Sequence, residues 1–433
     1  MSDEERQKAP TTSLEICRDD RELMIMRSRT QLANGLQGRK LVQVLDLFCG
    51  CGGMSYGFAT AKTRNVKYAV TGALDFDKHA VATYNRMLGV EPLCIDIRSL
   101  VERSELKKAT RHWSHIGDAP TILIGCAPCQ GFSSHRKKDT RKDERNSLLE
   151  VFAHIILKLR PEIVVMENVP EMLAIKHWKH FEDWQRQLTQ AGYHIRSTVY
   201  NLAQFGVPQE RFRTLVLASR IWPKFDLPAP TRTPDQYVTV RQAIAQLPPL
   251  KAGGIDPVDP MHLTSRHRKE TVALIRMIPP DGGSRRSLPP GVGPSCLQRV
   301  DGFRDVYGRL AWDNPAVAIT ARCRTPSCGR YTHPEQHRGL SVREAALLQG
   351  FPSDYYFEGP FDDKYKQIGN AVSPIFARAI AEHLDREWGL DHAGMSEKQT
   401  PAGDITGPFL KSFSSSIASI KRRERLDQSL CLF

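Results

Sequence analysis

"LVQVLDLFCGCGG", residues 41–53, decides the fold. Its first eight residues are apolar except for Gln43 and Asp46, the composition of a strand buried on both faces. Gly50, Gly52 and Gly53 then crowd into a turn, and "MSYGFATAK" (54–62) continues as a helix. A strand that passes through such a turn into a helix lets the backbone approach a ligand closely. A tight turn needs glycine with or without a ligand, so the stretch sets an architecture and leaves the chemistry open.

The same alternation runs on along the chain. "KYAVTGALD" (67–75), "TILIG" (121–125) and "PEIVVMENV" (161–169) read as strands. "KHAVATYNRML" (78–88), "NSLLEVFAHIILKL" (146–159) and "EMLAIKHWKHFEDWQRQLTQAG" (171–192) read as helices, the last closed by glycine. This predicts an α/β fold, Rossmann-like, with a mainly parallel central sheet over 41–219 and ligand sites beyond the carboxyl ends of the strands. After "RFRTLVLAS" (211–219) the alternation stops. Residues 220–340 are rich in Pro, Gly and Arg and predict a smaller, loop-rich second domain. "SVREAALLQGF" (341–351) and "NAVSPIFARAIAEHLDREW" (370–388) return over 341–390 to the first domain. Residues 1–40 read as an arm, helical or partly disordered, and 391–433 as a mobile basic tail.

In 433 residues there is room for both domains and a sizeable core. Mean hydropathy is −0.40 and no apolar run is long enough to span a bilayer, which excludes a membrane span. The charged start "MSDEERQKAP" has no apolar signal core, so the chain is expected in the cytoplasm, with its ten cysteines reduced. A net charge of +13 points to a polyanionic partner. The excess is concentrated: Thr214 to Leu340 holds 18 Lys and Arg against 10 Asp and Glu.

Two clusters carry chemistry. At the first, Asp75 in "LDFDKHA" ends a strand, where an acid suits ribose hydroxyls; Phe76 either stacks on an adenine face or is a core residue; and Asp96 in "CIDIRSL" suits an adenine amino group. The turn reads G-C-G-G, not the G-x-G-x-x-G of nicotinamide enzymes, which favours a different nucleoside cofactor. At the second, "TILIGCAPCQGFSSHRKKD" (121–139) puts Cys129 outside the strand beside glycine and positive charge. A packing cysteine belongs inside the run; one outside it is a candidate nucleophile.

"DLFCGCGG", "GCAPCQGFS", "MENV", "QERFR", "REAALLQGFP" and "YKQIGNAVS", in this order over about residues 41–388, resemble the motifs of the DNA cytosine-5 methyltransferases. The resemblance implies S-adenosyl-L-methionine as cofactor and a methyltransferase fold with a target-recognition domain. It implies that Cys129 attacks carbon 6 of cytosine, because carbon 5 accepts a methyl only after a thiolate has added next to it. Glu167 would hold the ring nitrogen and amino group and supply a proton, with Asn168 bracing the loop. Gln209, Arg211 and Arg213 would position the base and the Cys129 loop. Pro128 and Gln130 would shape that loop, while Gly131, Ser133 and Ser134 give it mobility and hydroxyls for phosphate. Phe48, Gly50, Gly52, Gly53, Asp75, Phe76, Asp96, Ile97, Asn370, Ala371 and Val372 would line the cofactor, and Arg343 and Glu344 would join the domains. The substrate implied is a specific double-stranded DNA sequence from which the cytosine is flipped out. The enzyme would be a monomer associated with the nucleoid, either an orphan methylase or half of a restriction-modification system whose endonuclease acts separately.

Other readings compete. Cys126 and Cys129 form a C-x-x-C, which also suits a redox pair. Cys323, Cys328, His333 and His337 have a spacing that zinc tolerates, although packing cysteines and contact histidines explain them more simply, so no metal is expected. A related branch methylates transfer RNA, but its Cys-Phe-Thr signature is absent here. A catalytically dead DNA-binding module would be expected to have lost Cys129 or Glu167.

Overall fold

The computed structural model describes residues 38–114, 116–127, 147–294 and 305–392. Strands β1 (Lys40–Leu47), β2 (Val66–Asp75), β3 (Leu93–Cys94), β4 (Thr121–Gly125), β5 (Ile163–Asn168), β6 (His194–Asn201) and β8 (Phe212–Ser219) form one sheet in the order β3-β2-β1-β4-β5-β8-β6. The first five are parallel, and β8 runs antiparallel between β5 and β6. The mainly parallel sheet expected from the alternation is present. Strand order reverses between β1 and β4, so a crevice opens beyond their carboxyl ends.

The sheet follows from the period-two placement of branched residues. Val42 and Val44 of β1, Ile122 and Ile124 of β4, and Ile163 and Val165 of β5 share one face. Met54 and Phe58 of α1 (Gly53–Ala59) and Phe376 and Ile380 of α10 (Pro374–Trp388) cover it. On the other face, Leu47, Leu123, Val164 and Met166 meet Phe152 and Ile156 of α4 (Ser147–Leu159) and Phe181 and Trp184 of α5 (Ile175–Gln190). Each such side chain stabilises the fold by about 1.5–3 kcal/mol relative to exposure. The carboxyl-terminal helix can lie on α1 because Gly57 has no side chain: a Cβ there would stand 2.4 Å from that of Ala377. Trp222, Phe225 and Leu227 belong to the first of these cores as well.

Several elements were not legible in the sequence. Between α2 (Lys78–Leu88) and β4, β3 has two residues and α3 (Arg103–His112) is largely polar. Strand β6, "HIRSTVYN", is only partly buried, and α9 (Phe361–Asn370) opens on the acidic pair Asp362 and Asp363. The loop-rich region contains α6 (Val240–Ile244), α7 (Lys269–Met277) and the short strand β9 (Ala316–Val317), which pairs with β7 (Gln209–Glu210). A third core joins that region to the returning helices: Val240, Leu310, Trp312 and Ile319 pack with Leu348 of α8 (Val342–Gln349), Phe351, Tyr365 and Ile368.

Charged groups cross the same seam. Arg343 donates from Nε to Asp259 Oδ2 at 2.6 Å and from Nη1 to the Tyr355 carbonyl at 2.8 Å. Glu344 closes a capping box with Ser341 and accepts both terminal nitrogens of Arg338, at 2.7 and 2.8 Å. Residues 1–37 of the arm and 393–433 of the tail lie outside the described residues. The start of the tail is anchored: His392 stacks on Trp222 with ring centroids 5.1 Å apart.

Candidate active site

Parallel register dictates the first half of the site. Strands β1 and β2 end side by side, so the turn after Leu47 faces Asp75. Gly50 donates its N–H to Asp75 Oδ2 and Asp77 donates its own to Oδ1, both at 2.9 Å. Burial raises the Asp75 carboxyl above its ordinary range, while these hydrogen bonds oppose the rise. The turn needs left-handed backbone at Gly50 (φ 51) and Gly52 (φ 89), and Phe48 also adopts it (φ 63), a conformation costly for an aromatic residue. A Cβ on Gly50 would meet nothing within 4 Å, so open space lies against the turn.

Phe76 stands beside that space with 68% of its surface exposed, which excludes the core alternative. Its exposed apolar face suits a flat heterocycle. Asp75 pairs with Cys94 across β2 and β3, which brings Asp96 to the same edge. Asp96 caps a short helical turn and is paired with Arg98, whose hydrogen bond lowers its carboxyl below the usual range. Ile97 beside it is buried. On the far side, a Cβ on Gly53 would lie 2.2 Å from the Val372 carbonyl, so "GNAV" closes directly on the turn; Ala371 and Val372 are buried and Asn370 is exposed. These residues form a cradle that fits a nucleoside cofactor: an open glycine turn, an acid at its edge and a bare aromatic face.

A buried chain behind the cradle was missed in the sequence. Ser55 donates to Asp46 Oδ2 at 2.6 Å, and Tyr84 donates to Ser55 Oγ at 2.7 Å. Burial pushes the Asp46 carboxyl up to about 7, against the Ser55 hydrogen bond. The signal available was an acid inside the β1 run, two residues before the turn.

The second half lies at the ends of β4 and β5 and the start of β8. Gly125 pairs with Met166, so Cys126 and Glu167 follow side by side. Glu167 is 2% exposed, with Cys126 Sγ 3.1 Å from Oε2 and Arg213 Nε 3.0 Å from Oε1. Asn168 donates from Nδ2 to the Ala127 carbonyl at 3.3 Å, and its Oδ1 accepts the Val169 N–H at 2.7 Å. Arg213 also donates to the Phe212 carbonyl. Arg211 is buried and donates to the carbonyls of Ile319 and Gly369, joining the loop-rich region to "GNAV". Burial, then the neighbouring Arg213, lowers its guanidinium to about 9. Gln209 lies wholly inside the seam, donating to the Leu348 carbonyl and accepting the Ile319 N–H, both at 2.8 Å.

Cys129, Pro128, Gln130, Gly131, Ser133, Ser134 and the "HRKKD" cluster lie outside the described residues. At the zinc-like spacing, His333 Nδ1 accepts the N–H groups of Glu335 and Gln336, and His337 Nδ1 faces the Arg309 guanidinium at 2.9 Å. Among the described residues no group of three or more His, Cys, Asp or Glu is placed to hold a metal ion.

A doubly wound sheet with one antiparallel strand inserted next to its edge is a Rossmann-like methyltransferase fold. A family model described as C-5 cytosine-specific DNA methylase matches residues 42–386. The Type II methylase M.HgiDII of Herpetosiphon aurantiacus is 36% identical over 352 residues, which cover 79% of this chain and 95% of its own. The Type II methyltransferase M1.HphI of Haemophilus parahaemolyticus is 32% identical over 341 residues, covering 78% and 85%. A solved putative DNA modification methyltransferase encoded within an Escherichia coli prophage shares the fold, with TM-score 0.58 and 23% identity over 81% of this chain and 100% of its own. The chain belongs to the C-5 cytosine-specific DNA methylase family. Its reaction is methyl transfer to carbon 5 of cytosine in DNA, and this reading prevails over the transfer RNA alternative.

Proposed function

We propose that the chain transfers a methyl group from S-adenosyl-L-methionine to a cytosine flipped out of a specific double-stranded DNA sequence. The observation that carries this reading is the Glu167 carboxylate, gripped from both neighbouring strands at the crevice that the cofactor cradle shares. When bound, the cofactor supplies an electrophilic methyl carbon on sulfur. Asp75 would hold its ribose hydroxyls and Phe76 its adenine face, with Asp96, Phe48 and the "GNAV" backbone completing the enclosure.

Cys129 lies two residues beyond Ala127 in the sequence. Its thiolate would add to carbon 6 while Glu167 delivers a proton to the ring nitrogen N3, leaving carbon 5 as an enamine carbon able to take the methyl. Loss of the carbon 5 proton to a base then re-forms the double bond and expels the thiolate, and the N3 proton returns to Glu167. Arg213 keeps Glu167 aimed, Asn168 ties Ala127 to β5, and Gln209 and Arg211 hold the seam behind them. Flipping the base costs a few kcal/mol, which phosphate contacts from the basic residues of 220–340 would offset.

The Type II names of the relatives support a place in a restriction-modification system, with an endonuclease acting separately. We read the enzyme as a cytoplasmic, nucleoid-associated monomer; among the described residues no helix is long and apolar enough to cross a membrane. The test supplies methyl-labelled S-adenosyl-L-methionine with duplex DNA or with transfer RNA, then maps 5-methylcytosine. Label at one sequence context in duplex DNA is expected; label in transfer RNA alone, or none, overturns the reading.

A further inference from the structure

We infer that Cys126 is a positioning residue for the methyl transfer, holding the Glu167 carboxylate in its working orientation through an S–H hydrogen bond. The inference rests on the role given above to Glu167 and adds a residue to it. The pairing of β4 with β5 runs in unbroken register from Ile122↔Ile163 to Gly125↔Met166, so the next residue on each strand brings Cys126 alongside Glu167. The sulfur is 3.1 Å from Oε2, and the thiol is the donor.

On the opposite flank, β5 pairs antiparallel with β8, Glu167 with Leu215 and Asn168 with Thr214, which leaves Arg213 next in line. Its Nε reaches Oε1 at 3.0 Å. The carboxylate is thus fixed from both sides, one oxygen by a guanidinium and the other by a thiol. The difference in strength matters. A guanidinium is a strong, charged donor, whereas S–H is a weak one. The thiol can aim Oε2 before substrate arrives without competing against the amino group and ring nitrogen that the carboxyl must then bind. Half-buried against the core of the β1 face, Cys126 is held in place by its packing.

The test compares Cys126→Ala, Cys126→Ser and the control Glu167→Gln, after circular dichroism has shown that each is folded. Cys126→Ala should lower kcat about three- to ten-fold, as expected for the loss of one weak hydrogen bond. KM for DNA and cofactor should stay within about twofold of wild type. Cys126→Ser, which keeps a donor, should restore most of kcat. Simple packing gives the opposite rank, with alanine tolerated and the buried hydroxyl penalised, and that result overturns the inference. Infrared difference spectroscopy tests the contact without turnover. The S–H stretch assigned by subtracting Cys126→Ser from wild type should lie at the lower frequency of a bonded thiol and move in Glu167→Gln; a free-thiol frequency that ignores this change also overturns it. If Glu167→Gln keeps full activity, the role given to Glu167 fails instead, whatever the Cys126 variants do.

Discussion

Replacing Glu344 with glutamine removes one charge from a fully buried pair at the seam between the sheet domain and the loop-rich region. Both oxygens of Glu344 are in use: Arg338 reaches them at 2.7 and 2.8 Å, and the Ser341 N–H reaches Oε2 at 2.7 Å. Burial acts to raise this carboxyl, but the Arg338 guanidinium, together with His333 and the Ser341 N–H, outweighs burial and holds it at about 2, against an ordinary 4.5. A folded value depressed below the unfolded one stabilises at every pH above the unfolded value, and the benefit fades as pH falls toward the folded value. The difference corresponds to about 3 kcal/mol at pH 7, in line with the roughly 3–5 kcal/mol lost when one partner of a buried pair is removed. Urea denaturation at pH 7 should therefore show Glu344→Gln less stable by about 3 kcal/mol, with the gap narrowing to about 2 kcal/mol by pH 3.5. A gap below about 1 kcal/mol at pH 7, or one that ignores pH, refutes the reasoning.

Three further outcomes are expected. Burial raises Asp46 to about 7, so its contribution is complete below pH 3.8 and lost as pH climbs through 7; wild type should lose about 2–3 kcal/mol relative to Asp46→Asn between pH 5 and pH 8, read from urea midpoints. Phe76→Ala should weaken cofactor binding about tenfold by calorimetry with no change in melting temperature, since the ring is mostly exposed. Gly53→Ala drives a Cβ to 2.2 Å from the Val372 carbonyl, so both cofactor affinity and melting temperature should fall, by about 1–3 kcal/mol in stability.

What could be read in advance followed a physical division. β1, β4 and β5 are dense in branched apolar residues, and such runs specify a buried strand without help from the rest of the chain. α2 begins at Asp77, whose side chain accepts the N–H groups of His79 and Ala80, and ends at Gly89 in left-handed backbone, so both its limits were local. β6 and α9 were not legible because their apolar content is low and tertiary packing holds them: the Tyr365 ring of α9 is fully buried in a core that residues of the loop-rich region help to form. In the cofactor cradle, glycines and acids carry a local signature. The partners of Glu167 do not, since Cys126 and Arg213 lie 41 and 46 positions away and meet it only through strand order. The burial of Gln209 in the seam likewise depends on β9 returning from over a hundred residues downstream.

The most direct measurement uses a DNA duplex with 5-fluorocytosine at the methylated position, incubated with the full chain and S-adenosyl-L-methionine. Fluorine blocks loss of the carbon 5 substituent, so the thioether to carbon 6 persists and mass spectrometry of the digested complex locates it. Attachment at Cys129 is the result expected. A chain that methylates the ordinary duplex yet forms no adduct with this one, or forms it at Cys126 or any other cysteine, contradicts the mechanism.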